Sequence, residues 1–326
     1  MKKLAVLTSG GDSPGMNAAI RAVVRTALHY DIEVYGVLRG YDGLMNGKMF
    51  KMDRRSVSNI IQKGGTILKT ARSMDFKTIE GRMKAAKQLR DAGIEGLITI
   101  GGNGTFTGAQ LFYQEHGFPV IGIPGTIDND IFGSDYTIGY DTAVNTVLDA
   151  IDKIRDTADA HERVFFVEVM GRDTGYIAVQ SAIAGGAEVA VIPEKDMTAE
   201  EIVAKLNQGG GPRGSHVIVV AEGHRPGRAV DIARDVGKQL PQIDTKVSIL
   251  GHIQRGGSPT AADRILATIL GVGAVEGILK GKTDVMVGVV NGELSYASLK
   301  DAITKEKPVK KELIRMIDIV NGRISV

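Results

Sequence analysis

Short, nearly unbroken runs of valine, isoleucine and leucine recur along the chain, separated by stretches of helical length. They fall at Leu4–Leu7, Glu33–Leu38, Gly96–Ile100, Val120–Ile123, Phe165–Met170, Val189–Ile192, Val217–Ala221, Val247–Leu250 and Val285–Val290. A strand buried on both faces reads this way, as in a parallel sheet covered by helices. Helices are predicted between them over 15–30, 80–92, 140–160, 198–208 and 258–281. In the long helix after 140, Val144, Val147, Leu148, Ile151 and Ile154 return at steps of three and four, giving it one apolar face. Strand and helix alternate throughout, so the predicted fold class is α/β, with doubly wound, mostly parallel sheets. A polar turn ahead of the long helix puts a boundary near 138–140, and Gly209–Gly214 is the one loose stretch, read as a surface loop.

Composition narrows the classes of function. A length of 326 residues favours two lobes, and 43% hydrophobic content suits a sizeable core. Forty Lys and Arg against 38 Asp and Glu give a net charge of +2, too balanced for a nucleic-acid or membrane surface. Aromatic residues are only 5%, with no Trp, so no stacking platform for single strands is expected. The absence of cysteine excludes disulfides, thiolate metal sites and a cysteine nucleophile. Met1-Lys2-Lys3 leads into only four apolar residues, too few for a signal peptide, and no run has membrane-spanning length. A cytoplasmic location is expected.

Forty-two glycines are the compositional outlier. They gather as doublets after apolar runs: Gly10-Gly11, Gly64-Gly65, Gly101-Gly102, Gly185-Gly186 and Gly256-Gly257. Such doublets let backbone N–H groups approach a ligand, as a phosphate-rich site requires. Gly10 and Gly15 have P-loop spacing, but Met16-Asn17 replaces the Lys-Ser/Thr that motif needs. A glycine turn feeding a helix still makes an anion site, although a ligand-free βα turn would look the same.

Pro124-Gly125-Thr126-Ile127-Asp128-Asn129-Asp130 follows the apolar run 118–123. Two carboxylates at i, i+2 past a strand end suit acid–base work on a polar ligand or the holding of a metal. Asp-Asn-Asp is equally common turn chemistry, so the segment alone reads either way. Arg72 by itself reads as a solvated surface arginine. Met170-Gly171-Arg172, Ala221-Glu222-Gly223 and Leu250-Gly251-His252-Ile253-Gln254-Arg255 each set a charged or titratable side chain where a strand meets a loop. Three such ends point to a convergent pocket facing Asp128, with His252 and Arg255 as an anion clamp. The six histidines show no metal spacing, and no Gly-x-Ser-x-Gly elbow occurs.

Taken together, LTSGGDSPGMNAAIR, PGTIDND, DAIDKIRDTA, EVMGR and GHIQRGGSPTAADR closely resemble the bacterial ATP-dependent 6-phosphofructokinase family, over essentially the whole chain. The resemblance implies two lobes with the active site in the cleft between them. Residues 1–138 plus about 253–301 would bind ATP, and 139–252 plus about 302–326 would bind fructose 6-phosphate. It implies a homotetramer with shared active sites, a magnesium ion, and transfer of the ATP γ-phosphoryl group to the sugar 1-hydroxyl. Asp128 matches the base, flanked by Thr126 and by Asp130 on the magnesium side, while Arg72 and Arg172 match the charge-offsetting cations. Gly11, Arg72, Ser73, Gly102, Asn103, Gly104 and Thr105 match nucleotide positions. Thr126, Ile127, Met170, Gly171, Arg172, Glu222, His252, Ile253, Gln254 and Arg255 match sugar-phosphate positions, and Arg163 and Lys246 match cations reaching in from a neighbouring subunit.

Three departures from the family pattern alter these expectations. Asn103 stands at a magnesium-linked position that usually carries aspartate, which implies altered metal dependence. Lys246 replaces an arginine and loses its bidentate fork, which implies weaker fructose 6-phosphate binding. Arg21, Arg25, Arg54, Arg155, Gly186, Glu188 and Arg213 match the effector site for ADP and phosphoenolpyruvate, but Gly-Ser-His follows Arg213 where lysines are usual. Blunted regulation is therefore expected. The competing readings are a pyrophosphate-dependent enzyme, argued against by Gly104 and Gly125, and a catalytically silent sugar-phosphate sensor, which Asn103 alone favours. A related NAD- or lipid-type kinase would share Gly-Gly-x-Gly-Thr but lack PGTIDND and GHIQRGG.

Overall fold

The computed structural model describes residues 1–207, 215–223 and 226–320. Its first elements are β1 (Lys3–Thr8), α1 (Met16–His29), β2 (Glu33–Val37), α2 (Gly40–Met45), β3 (Met49–Met52), α3 (Ile79–Asp91), β4 (Gly96–Gly101), α4 (Asn103–His116) and β5 (Val120–Pro124). After α5 (Tyr140–His161) come β6 (Val164–Val169), α6 (Tyr176–Gly185), β7 (Val189–Val191), α7 (Ala199–Asn207), β8 (His216–Ala221), α8 (Arg228–Gln239) and β9 (Thr245–Ile249). The series ends with α9 (Ala261–Leu279), β10 (Val285–Val290), β11 (Glu293–Ser298), α10 (Leu299–Thr304) and α11 (Lys311–Val320). Two compact units result: Met1–Thr142 with Arg255–Lys307, and Ala143–Gln254 with the chain from Pro308 onward.

The first unit is built on a seven-stranded sheet in the order β11-β10-β5-β4-β1-β2-β3. Its five inner strands run parallel, and β4 and β5 are buried at every residue. Strand periodicity sends Leu4 and Val6 to one face, beneath α1 and α9 with Ile98, Ile121 and Leu270. It sends Ala5 and Leu7 to the other, with Leu89, Phe106 and Phe112 of α3 and α4. Both edges, β3 and β11, are antiparallel, and the hydrophobic pattern misses them. Edge strands are half solvated, with Phe50, Lys51, Glu293 and Leu294 exposed, so they show no continuous apolar run.

The second unit carries a four-stranded parallel sheet, β7-β8-β6-β9. Val164, Phe166, Ile218 and Val220 pack there on Ile202 and Leu206 of α7 and Ala233 and Val236 of α8. Glu168, near the end of β6 and 1% exposed, accepts the N–H groups of Gly227 at 2.7 Å and Ala229 at 2.8 Å. This buried carboxylate caps the first turn of α8, where helix-end donors and dipole both favour negative charge. The glycine stretch 209–214 lies outside the described residues. Among those described, no helix is long and apolar enough to cross a membrane.

Candidate active site

In the first sheet β1 connects towards β2 on one side, while the adjacent β4 connects towards β5 on the other. Such a reversal opens a crevice at the carboxyl ends of the two strands, the usual ligand position in a doubly wound sheet. Two glycine-rich loops border it. Arg255 donates from Nη1 to the Asp12 carbonyl at 3.2 Å, and a Cβ on Gly11 would sit 2.6 Å from that nitrogen. A side chain at position 11 would push the guanidinium from this place. At Gly101 a Cβ would meet Thr105 Oγ1 at 2.3 Å, and the space left open lets that hydroxyl donate to the Ser9 carbonyl at 2.9 Å. Helix α4 then starts at Asn103; the Thr105 N–H donates to the Gly102 carbonyl at 2.9 Å, and the N–H groups of Asn103 and Gly104 at the helix start are the physical basis of an anion site. Arg72 is exposed beside Ser73, on a segment tied to the end of β1 by Thr70 Oγ1 donating to the Gly10 carbonyl at 2.7 Å.

The loop after β5 is mostly buried: Ile127 is 0% exposed, Asp128 4% and Asn129 2%. The Asp128 N–H donates to Thr126 Oγ1 at 3.3 Å, and Thr137 Oγ1 donates to the Thr126 carbonyl at 2.6 Å. Asn103 Nδ2 donates to Asp130 Oδ2 at 3.0 Å, joining the two residues that the family resemblance implies for a metal. With that nitrogen so engaged, Asn103 Oδ1 is buried without a hydrogen-bond partner among the described residues. Among those residues no three His, Asp or Glu side chains cluster around a point, so the corner offers one carboxylate and one amide oxygen. That donor set fits magnesium, which takes few protein oxygens and shares the remainder with phosphates and water.

Asp263 secures the far end of this loop. It is 1% exposed and accepts from the N–H groups of Gly139 and Thr142, both at 2.8 Å, and from Thr142 Oγ1 at 2.5 Å. Burial raises its pKa, against the lowering effect of these bonds.

In the second unit β9, β6 and β8 are parallel neighbours, so their three following loops leave from one end of the sheet. Gly171 has a positive φ of 142°, open to glycine, and Arg172 one of 52°, a local strain common where a side chain must be aimed. The Arg172 N–H donates to Glu222 Oε1 at 3.3 Å, and the Met170 N–H to Gln254 Oε1 at 3.3 Å. Gln254 is fully buried, so its side chain orders the Met170 backbone, while His252 and Ile253 are exposed. Arg163 Nε and Lys246 Nζ each lie 2.7 Å from the Asp244 carboxylate. That pairing, with Lys246 first and Arg163 second, holds the Asp244 carboxyl below the usual range.

The predicted effector residues divide between the units. Arg21 and Arg25, one turn apart on α1, and the exposed Arg54 belong to the first; burial and then the neighbouring Arg25 lower the Arg21 pKa. Arg155, Gly186 and Glu188 are together in the second. There Arg155 Nη2 donates to the Gly185 and Gly186 carbonyls at 2.8 Å, and Nη1 lies 4.0 Å from Glu188 Oε1. Arg213 lies outside the described residues.

The phosphofructokinase family model matches residues 3–278, which include every loop just described. This chain belongs to the phosphofructokinase family. It is 60% identical over 324 residues to a Cytophaga hutchinsonii protein named ATP-dependent 6-phosphofructokinase, covering 99% of each chain. A Thermus thermophilus ATP-dependent 6-phosphofructokinase 1 is 54% identical over 322 residues, covering 98% of this chain and 99% of that protein. Among solved structures, Saccharomyces cerevisiae phosphofructokinase superposes with a TM-score of 0.86 at 36% identity, over 98% of this chain and 47% of the yeast chain. This phosphofructokinase thus spans about half the length of the yeast chain. A pyrophosphate-dependent phosphofructokinase from Marinobacter aquaeolei, at 20% identity and a TM-score of 0.83, covers 99% of this chain and 92% of that one and shares the fold.

Sequence reading passed over several residues that build the phosphofructokinase loops. Asp263 lies inside the GHIQRGGSPTAADR motif and could have been flagged as a carboxylate three residues after Thr260, its helix-capping partner. Glu168, an acidic residue inside an apolar strand, was a second available signal. Asn129 and Thr137 resemble ordinary turn residues, and nothing in the pattern marks Lys307.

Proposed function

We propose that this chain is an ATP-dependent 6-phosphofructokinase, transferring the γ-phosphoryl group of ATP to the 1-hydroxyl of fructose 6-phosphate. The observation that carries the reading is 60% identity, almost end to end, with a relative named for that activity. Asp128 accepts the hydroxyl proton as the sugar oxygen attacks the γ-phosphorus and ADP leaves, with Thr126 beside it ordering the loop. Arg72 and Arg172 offset the charge on the transferring group, acting through preorganised electrostatics rather than bonds. Gly11, Ser73 and the 102–105 loop hold the nucleotide in the first unit. Met170, Gly171, Arg172, Glu222 and His252 through Arg255, with Thr126 and Ile127, hold the sugar phosphate. Magnesium, when bound by Asp130 and the Asn103 amide oxygen, neutralises phosphate charge.

Two glycines support ATP over pyrophosphate as the donor. A Cβ on Gly104 would meet no atom within 4 Å, and Gly125 has only Met16 and Ile100 carbons within 3.2 Å, so neither position carries a side chain to crowd a nucleotide. Arg163 and Lys246 reach the sugar phosphate of a neighbouring subunit, in a cytoplasmic homotetramer. Regulation by ADP and phosphoenolpyruvate is blunted, because the sequence after Arg213 lacks the usual lysines. Steady-state kinetics with both donors test these roles. Turnover with ATP and none with pyrophosphate is expected, with a hyperbolic fructose 6-phosphate curve. Turnover with pyrophosphate alone would overturn the donor. A sigmoidal curve, inhibited by phosphoenolpyruvate and relieved by ADP, would overturn the account of regulation.

A further inference from the structure

Asn129 sits between the two aspartates of the active loop and holds a left-handed backbone, with φ of 53°. Its side-chain oxygen accepts from Lys307 Nζ at 2.9 Å and lies 3.4 Å from Thr137 Oγ1, and its amide nitrogen donates to the Asp135 carbonyl at 3.3 Å. The same Lys307 ammonium donates to that Asp135 carbonyl at 2.9 Å. Asp135 is itself fixed to the sheet: its N–H donates to the Val289 carbonyl and its carboxylate accepts the Asn291 N–H, both at 2.7 Å. A cation 178 residues further along the chain thus ties the tip of the loop to its return limb. Hydrogen bonds from an ammonium are stronger than neutral ones, so this tie outweighs the Asn129–Asp135 bond it reinforces.

We propose that Lys307 is a positioning residue for phosphoryl transfer. By clamping Asn129 to Asp135 it keeps Asn129 in the left-handed region, and so sets the directions in which Asp128 and Asp130 leave the backbone. That role rests on the reading of Asp128 as the base. A change of φ at Asn129 would turn the peptide planes on either side of it and redirect both carboxylates. Substrate binding would change less than turnover, because apart from Thr126, Ile127 and Asp130 the proposed nucleotide, metal and sugar-phosphate residues lie on other loops.

The absence of cysteine from the chain makes a chemical-rescue test available. Lys307→Cys introduces a single thiol, and alkylation with 2-bromoethylamine, the thiolate displacing bromide, restores an ammonium at nearly the length of lysine. We expect Lys307→Cys and Lys307→Met to lower kcat about 10–100-fold. KM for ATP and fructose 6-phosphate should stay within about threefold, since most of the proposed substrate contacts lie on loops that Lys307 does not touch. Alkylation should recover kcat at least about fivefold, an effect of regained alignment. Asn129→Gly keeps the backbone freedom but lacks the acceptor oxygen; it should fall similarly, with the double variant no worse than the lower single. Unchanged kcat in Lys307→Met, or a fall that alkylation does not reverse, overturns the role, as does a lower Tm with kcat intact. An Asp128→Ser enzyme run alongside separates the two readings: if it keeps full turnover, the assignment of the base has failed instead.

Discussion

The two loop sets differ in how they are held. In the first unit Asp128 and Asn129 are buried, and Thr137, Asp135, Asp263 and Lys307 bind their loop at its root, tip and return. In the second, Arg172, His252 and Lys246 are exposed, and Asp244 holds two of that unit's proposed phosphate cations at once. Proton abstraction and metal placement demand geometry fixed before substrate arrives, and burial with satisfied hydrogen bonds provides it. On the proposed reading, capture of a sugar phosphate tolerates solvated cations that regroup around their ligand, since the phosphate would take the place of the Asp244 carboxylate.

The contrast is broken most severely at Asp128. Asp128→Ser should lower kcat about 10²–10⁴-fold, the usual contribution of a general base, with the fold intact by circular dichroism. Wild-type turnover would remove this loop from the chemistry. Next in size is Asp263→Ala, which leaves two buried N–H groups and a hydroxyl without their acceptor. A loss of roughly 2–4 kcal/mol in urea unfolding is expected from such unsatisfied groups. The pH dependence of the wild-type carboxyl has a definite sign. Its folded pKa is raised, so its contribution to stability is fully present below the unfolded value and is lost as pH rises through the folded one. A difference titration against Asp263→Asn that showed stability gained over this interval would refute that environment.

Asn103→Asp adds a charge beside Asp130 and should tighten magnesium binding at least about tenfold, because ligand charge count sets affinity for hard cations. An unchanged magnesium titration would take Asn103 out of the metal's surroundings. The smallest effect belongs to the exposed side of the comparison. Lys246→Arg should lower KM for fructose 6-phosphate by about two- to fivefold, the scale of a solvated ion pair. An identical KM would make the lysine equivalent to the arginine. Asp244, whose pKa is lowered, keeps its pairing above the ordinary aspartate range and loses it as pH falls through the lowered value. Asp244→Asn should therefore flatten the acid end of the fructose 6-phosphate KM profile.

The legibility of the chain follows the same division. Strands covered on both faces, such as β4 and β5, declare themselves as apolar runs, whereas the half-solvated β3 and β11 do not. The short α2 and α10 offer too few turns for a periodic pattern to show. Glycines at strand ends betray close backbone approach, so Gly11 and Gly101 could be flagged before any coordinates, and the motifs around Asp128 carried the family with them. Residues that act by supporting others leave no such trace. Lys307 looks like any solvated lysine, and Asn129 like any turn asparagine.

What the sequence determined by itself is therefore the alternating α/β order, the phosphate-ready loops and the family. These depend on local periodicity and on residues whose chemistry is written in their type. Only the tertiary structure decided that β1 and β4 open the crevice, that Asn103 turns its amide nitrogen to Asp130, and that Asp263 and Lys307 hold the Asp128 loop. Each of those pairings joins residues remote in the chain, and a hydrogen bond between distant segments exists only once packing has brought donor and acceptor together.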